Sequence, residues 1–220
     1  MTGVMMSLAG RRLTALPSGA LWDAGAATLC VSDLHLGKSD RIARRAGLML
    51  PPYDSRATLD RLAEEVTRCD PRVVVCLGDS FDDLASADAL DADCQASLLR
   101  LQAGRRWIWI EGNHDPGPVA IGGTHLAEIA LAPLMFRHIA GPAPRGEVSG
   151  HYHPKARITA RGRSLSRRCF LVDDIRLILP AYGTYTGGLS SHDAVLASLM
   201  GPEARAILIG PVPVAVPMPR

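Results

Sequence analysis

Several residue types are scarce in this 220-residue chain, and each scarcity excludes something. No apolar run reaches the roughly 18 residues that a membrane-spanning helix needs. The tail from Ile207 is apolar but interrupted by Pro211, Pro213, Pro217 and Pro219, so it cannot be a spanning helix. The opening Met1 to Gly10 is followed, not preceded, by its charges Arg11 and Arg12, which is the wrong order for a secretory signal. Cysteine occurs five times, an odd number with no C-x-x-C pair, so neither a disulfide framework nor a zinc knuckle is indicated. Cys30 and Cys76 lie inside apolar runs and read as small core residues. The expected setting is a reducing cytoplasm, with no membrane. Net charge is only +2, which removes bulk attraction to nucleic acid or anionic lipid as an argument. Repeats, low-complexity tracts and flexible linkers are absent, so one domain over residues 1–220 is expected. Lysine occurs twice, at Lys38 and Lys155, and asparagine once, at Asn113. The arginine and alanine excess reads as codon bias; the scarce residues are the ones to locate.

What is present reads as α/β. Three apolar runs, Ala27 to Ser32, Val73 to Gly78 and Trp107 to Gly112, are rich in β-branched or aromatic residues and stop at Asp33, Asp79 and Asn113. They predict buried strands, with Trp107 and Trp109 packed in the core. Between them, Asp54 to Arg68 and Ala85 to Gly104 repeat apolar residues at helical spacing, the first with Pro51-Pro52 ahead of it. Beyond residue 125 short strands are predicted at Leu126 to Ile139, Gly146 to Gly150, Ala156 to Arg161, Arg168 to Val172 and Ile175 to Pro180. The stretch before Ala24 also reads as short strands. The expectation is two packed sheets with helices outside, the second sheet drawn from both chain ends.

The chemistry collects where strands end, as sites in α/β sheets do. There the sequence offers Asp33-Leu34-His35, Gly78-Asp79-Ser80-Phe81-Asp82, Gly112-Asn113-His114-Asp115, then His138 and Gly150-His151-Tyr152-His153. Residues two apart at a strand end can face one side, which suits Asp33 with His35 and His151 with His153. Asp33, His35, Asp79, Asn113, His138, His151 and His153 are seven nitrogen and oxygen donors, too many for one zinc. They suit two divalent ions sharing a carboxylate, a pair that clamps the attacking and leaving oxygens of a phosphoryl displacement. The donor mixture points to Mn²⁺ or Fe²⁺, with Zn²⁺ possible.

In order, these five motifs resemble the calcineurin-like metallophosphoesterases. The resemblance implies a four-layer α/β/β/α sandwich with two mixed sheets and flanking helices. It implies that Asp33, His35 and His153 hold one metal, Asn113, His138 and His151 the other, and that Asp79 bridges them. His114 is implied to stabilise or protonate the leaving oxygen, oriented by Asp82, while a hydroxide held between the metals attacks phosphorus in line. Further segments, among them Leu50-Pro51-Pro52-Tyr53-Asp54, Arg168-Cys169-Phe170 and Tyr185-Thr186-Gly187-Gly188-Leu189, are similar to the bacterial ligase-associated DNA damage response endonucleases. That likeness implies a DNA substrate and association with an ATP-dependent DNA ligase, a helicase and a second nuclease. Asp82 stands where that subfamily carries His, which leaves the partner of His114 open among Asp82, Asp83 and Asp115.

Other readings stand beside this one. A phosphoesterase acting on a small nucleotide, a pyrophosphate or a phosphomonoester would use the same ligands. A catalytically silent scaffold in a repair complex would be expected to have lost ligands, and none is missing. A homodimer is compatible with the chain. Lys38, Arg41, Arg44 and Arg45 form a basic cluster read either as a phosphate-backbone grip, led by Lys38 and Arg41, or as a solvated helical face. Arg161, Arg163, Arg167 and Arg168 read as an ordinary basic turn, His125 and His192 as surface or loop residues. The Gly- and hydroxyl-rich loop Tyr182 to Ser191 borders the site only by the family resemblance.

Overall fold

The computed structural model describes residues 2–51, 53–142, 145–160 and 162–220. Strands β1 (Val4–Leu8) and β2 (Arg11–Ala15) are joined by Ala9 and Gly10, both at positive φ, a two-residue turn whose twist matches the hairpin. β3 (Leu21–Asp23) returns beside β2, and β4 (Thr28–Val31) beside β3. The same sheet continues in parallel with β5 (Val73–Leu77), β6 (Arg106–Ile110) and β7 (Thr124–Leu126), in sequence order throughout. The expectation that N-terminal strands join the second sheet is therefore corrected. Short connections keep each strand beside its sequence neighbour, and the last of them is tied by Arg11, which forks onto the Asp23 carboxylate at 3.0 and 2.8 Å.

Helices α1 (Lys38–Ala46) and α2 (Asp54–Cys69) connect β4 to β5. The predicted helix over Ala85 to Gly104 is two helices, α3 (Leu84–Asp88) and α4 (Ala92–Gln102). Asp83 accepts from the Ser86 N–H and Asp91 from the Cys94 N–H, so each starts its own helix. Pro52 lies outside the described residues, as does Arg161.

The second sheet comes from later in the chain: β8 (Glu128–Leu131), β9 (Leu134–Arg137), β10 (Glu147–Ser149), β11 (Lys155–Ala160), β12 (Arg163–Val172), β13 (Arg176–Ile178), then α5 (Ala194–Leu199), β14 (Arg205–Leu208) and β15 (Val214–Pro217). Its order is β15-β14-β12-β13-β10-β9-β8, with β11 hairpinned onto β12. β9, β10 and β13 run parallel and the other pairs antiparallel, so both sheets are mixed.

Strand alternation builds the layers. Val75, Leu77, Ile108 and Ile110 face Phe136, Val148, Phe170 and Leu177 of the other sheet in one buried core. Their neighbours Val74, Cys76, Trp107 and Trp109 pack instead on Leu59 and Leu62 of α2 and Leu98 of α4. On the far side Cys169, Leu171 and Leu208 meet Leu196 of α5 and Met200. The result is the expected α/β/β/α stack, in which both Trp are core residues. No helix among the described residues is long and apolar enough to cross a membrane.

Candidate metal centre

Five loops meet at one end of the stack, all leaving parallel strands at their carboxyl ends. Asp33 follows β4, Asp79 follows β5, and Asn113 follows β6, three adjacent parallel strands. His138 follows β9 and His151 follows β10, the parallel pair of the facing sheet. The first two loops stay zipped beyond their strands: the His35 N–H donates to the Asp79 carbonyl and the Leu36 N–H to Ser80, each at 2.9 Å. Asp33, His35, Asp79, His151 and His153 all have left-handed backbones, five of the nine non-glycine residues that do among those described. Such conformations persist only where the surroundings enforce them and concentrate at functional sites. Glycine is required at two approaches: a Cβ on Gly112 would run into the Asp79 backbone, and one on Gly150 into Ser32 Oγ.

The seven predicted ligands lie together. Asp33 is fully buried; its Oδ2 accepts from Ser32 Oγ and from the His151 N–H at 3.0 Å. Its Oδ1 lies 3.0 Å from His153 Nε2, yet neither atom has a hydrogen-bond partner. His35 Nδ1 is 2.8 Å from Asp82 Oδ1, which fixes the proton on Nδ1 and leaves Nε2 buried and without a partner. Asp79 Oδ1 accepts from the His114 N–H at 2.8 Å. His138 Nδ1 donates to the Leu77 carbonyl at 2.8 Å, so its Nε2 offers a lone pair. Around that Nε2 stand Asn113 Oδ1 at 3.0 Å, His151 Nδ1 at 3.2 Å and Asp79 Oδ2 at 3.4 Å.

Lone pairs crowded this closely repel unless a proton or a metal cation joins them. The donors therefore fit metal ions, and orphaned Asp33 Oδ1, His35 Nε2 and His153 Nε2 make the same point. Two sets emerge: Asp33 with His35 and His153, and Asp79 with His138 and His151. Asp79 also groups with His35 and His114, so it stands between the two sets. The electrostatics agree. Burial raises the Asp33 and Asp79 carboxyls, but His153, His138 and Ser32 together outweigh it at Asp33, and His138 and His114 bring Asp79 down to about 2. Burial lowers His138, but Asp79 and Asp33 raise it to about 9; the pocket favours positive charge. A cleft of about 420 Å³, lined by Asn113, His138, Glu128 and Arg137 among others, reaches the centre from the open side.

Support for the cage differs from the sequence reading in one respect. The Asp82 carboxylate does not touch His114. It binds His35, Arg41 Nη1 at 2.8 Å and Lys38 Nζ at 3.4 Å. Burial opposes its ionisation, but these three partners hold it well below the usual carboxylate range. His114 Nδ1 instead bonds the Asp82 carbonyl oxygen at 2.8 Å. Of the other acids weighed as its partner, Asp83 caps α3 and pairs with Arg44 at 3.0 Å. Asp115 accepts the N–H groups of Asp79, Ser80, Phe81 and Gly112 at 2.8 to 3.1 Å, and burial pushes it up to about 6. Lys38 and Arg41 sit on α1, close to the centre but already paired. Asp115 as the anchor of the second loop has no spacing signal in the sequence, because all its partners are main-chain atoms.

Residues 27–190 match the family of calcineurin-like phosphoesterases, and the chain belongs to it. It is a metal-dependent phosphoesterase. Among solved structures it is similar to the Pseudomonas putida nuclease MPE, at 26% identity over 96% of this chain and 100% of the other, with a TM-score of 0.73. A search of curated proteins returned no match.

Proposed function

We propose that the protein is a dinuclear metal phosphodiesterase that cuts DNA. The observation that carries the metal pair is Asp79, whose carboxylate belongs to ligand sets on either side of it. Asp33, His35 and His153 would hold one ion and Asn113, His138 and His151 the other, with Asp79 between. Mn²⁺ fits this mixture of imidazole, carboxylate and amide oxygen best, ahead of Fe²⁺ and Zn²⁺. Two such ions supply Lewis acidity and make water a competent nucleophile near neutral pH.

The chain's own groups do the rest. Asp82 holds His35 in the tautomer that presents Nε2, and Leu77 does the same for His138. The Asp82 carbonyl keeps the proton of His114 on Nδ1, so a second proton on Nε2 is the one available to the leaving oxygen. DNA as substrate is supported by the likeness to a nuclease and by the subfamily segments. Those segments also support a repair role beside an ATP-dependent ligase, a helicase and a second nuclease. All five cysteines are free and buried, which suits a reducing cytoplasm.

The test is an activity panel with Mn²⁺ and with chelator. Hydrolysis of bis-p-nitrophenyl phosphate and of single- or double-stranded DNA is expected, with loss in Asn113→Ala and His114→Ala. Turnover of mononucleotides or phosphomonoesters alone would reject the DNA reading.

A further inference from the structure

A second group of positive charges gathers where α2 and β12 meet the loop after Pro180. A cavity of about 730 Å³ is lined by Arg61, Lys155, Arg167, Arg168, Thr184 and Tyr185, with no carboxylate in its wall. None of these four cations forms an ion pair among the described residues. Arg61 donates to the Tyr182 carbonyl and lies 4.5 Å over the Tyr182 ring, and its buried Nε has no partner. Arg168 Nη1 donates to the carbonyls of Ala181 at 2.8 Å and Gly183 at 3.1 Å. Both guanidiniums are half-buried and held by neutral oxygens of one loop. Burial, then the charge of Arg61, lowers the Arg168 pKa, as expected of neighbouring cations without a counter-ion. Half-buried like charges are costly unless an anion joins them.

The same loop is stitched to the metal centre. The N–H groups of Tyr182 and Gly183 donate to the carbonyls of Ser32 and Asp33 at 2.7 and 3.0 Å. At its other end the Leu189 N–H donates to Tyr152 at 3.1 Å and Lys155 to Leu189 at 2.8 Å. A neighbouring cavity of about 410 Å³ shares Lys155 and adds Arg157 and His192, again without a carboxylate. Resting on the phosphodiesterase reading, we infer that this basic track binds the backbone of a polynucleotide strand whose scissile bond lies at the metals. Arg61 and Arg168 grip a flanking phosphate, and Lys155 and Arg167 hold the strand beyond it. Tyr185, 44% exposed on the cavity wall, offers a face on which a base can stack. Arg167 and Arg168, read from the sequence as part of an ordinary basic turn, lie instead on β12.

The experiment measures binding of a cleavage-resistant phosphorothioate oligothymidylate, fluorescein-labelled, to the Mn²⁺-loaded full chain across a salt series. In Lys155→Ala/Arg167→Ala, whose side chains make no hydrogen bond among the described residues, affinity should fall about tenfold. The slope of log affinity against log salt should flatten by about 0.7 per contact removed. Arg168→Gln should weaken binding similarly, and melting temperature and Mn²⁺ content check that the double variant is folded. Wild-type affinity and slope in the double variant would overturn the inference, as would inorganic phosphate or a mononucleotide binding as tightly as the oligonucleotide. If the wild type binds the strand but cleaves no DNA, the proposed function fails while the track stands.

Discussion

The cage of candidate metal ligands and the wall behind it are built from the same residue types, yet their carboxylates are in opposite states. In the cage, Asp33 Oδ1, His35 Nε2 and His153 Nε2 are buried without partners. In the wall, Asp115 accepts four main-chain N–H groups and Asp82 is shared by His35, Arg41 and Lys38. Buried polar groups are nearly always satisfied in native proteins, so those left over point at something that binds there. The two wall carboxylates have no oxygen left over and serve to hold the cage, although Arg41 Nε and Ser80 Oγ beside them also lack partners.

Exchanging charge in the cage is the largest way to sharpen this contrast. Asp79→Asn keeps an acceptor for the His114 N–H but removes the anion between the two ligand sets. It should cut bis-p-nitrophenyl phosphate hydrolysis by at least roughly 10³-fold, the scale of several kcal/mol of lost charge stabilisation. Calorimetry should show weakened Mn²⁺ binding with a melting temperature near or above that of the metal-free wild type. A large drop in stability instead would place Asp79 with the wall.

The wall should respond in the opposite currency. Asp115→Ala leaves four N–H groups without their acceptor, which costs about 3 kcal/mol and lowers the melting temperature by roughly 10 °C. Thermal denaturation of the metal-free chain measures this directly; an unchanged midpoint would show that those N–H groups find water.

Between these lies Asp82, which belongs to the wall but orients a cage histidine. Asp82→Asn should lower Mn²⁺ affinity or activity about 10- to 100-fold, as loss of a ligand's orienting partner does. Its carboxyl is depressed in the folded protein, so its stabilisation is present above its unfolded pKa and lost as pH falls through the folded value. The stability gap between wild type and Asp82→Asn should therefore close in acid. Constancy of that gap from neutral pH downward would mean the ion pairs contribute nothing.

Most of the cage was legible in the sequence because a metal needs specific donor types, and loops after parallel strands are where a sheet presents them. Asp33 and His35 gain their meaning only from the five motifs taken in order, since Asp-x-His recurs by chance. The wall was less legible. Asp82 and His35 are 47 residues apart, and only the zipping of two loops brings them together. The second basic group was hidden for the same reason: Arg61 reads as one exposed position of α2, and nothing local says that the helix packs on the loop after Pro180. The stretch before Ala24 was legible as short strands but not as members of the first sheet, since both sheets bury one face on the shared core. α5, six residues long, is too short to show helical periodicity.

The smallest expected effect concerns charges that the sequence leaves open between a phosphate grip and a solvated helical face. Lys38 and Arg41 are 18% and 24% exposed, and both point at Asp82. A cation already paired with a carboxylate has little field left for a phosphate, whereas Lys155 and Arg167 have no acid to neutralise them among the described residues. Lys38→Ala should change oligothymidylate affinity less than about threefold, within the modest worth of a partly exposed ion pair. Arg41→Ala should act first on the metal, through an Asp82 that now holds His35 less firmly, and only then on the strand. If either variant weakens strand binding as much as Lys155→Ala/Arg167→Ala, the division between spent and available charge does not hold.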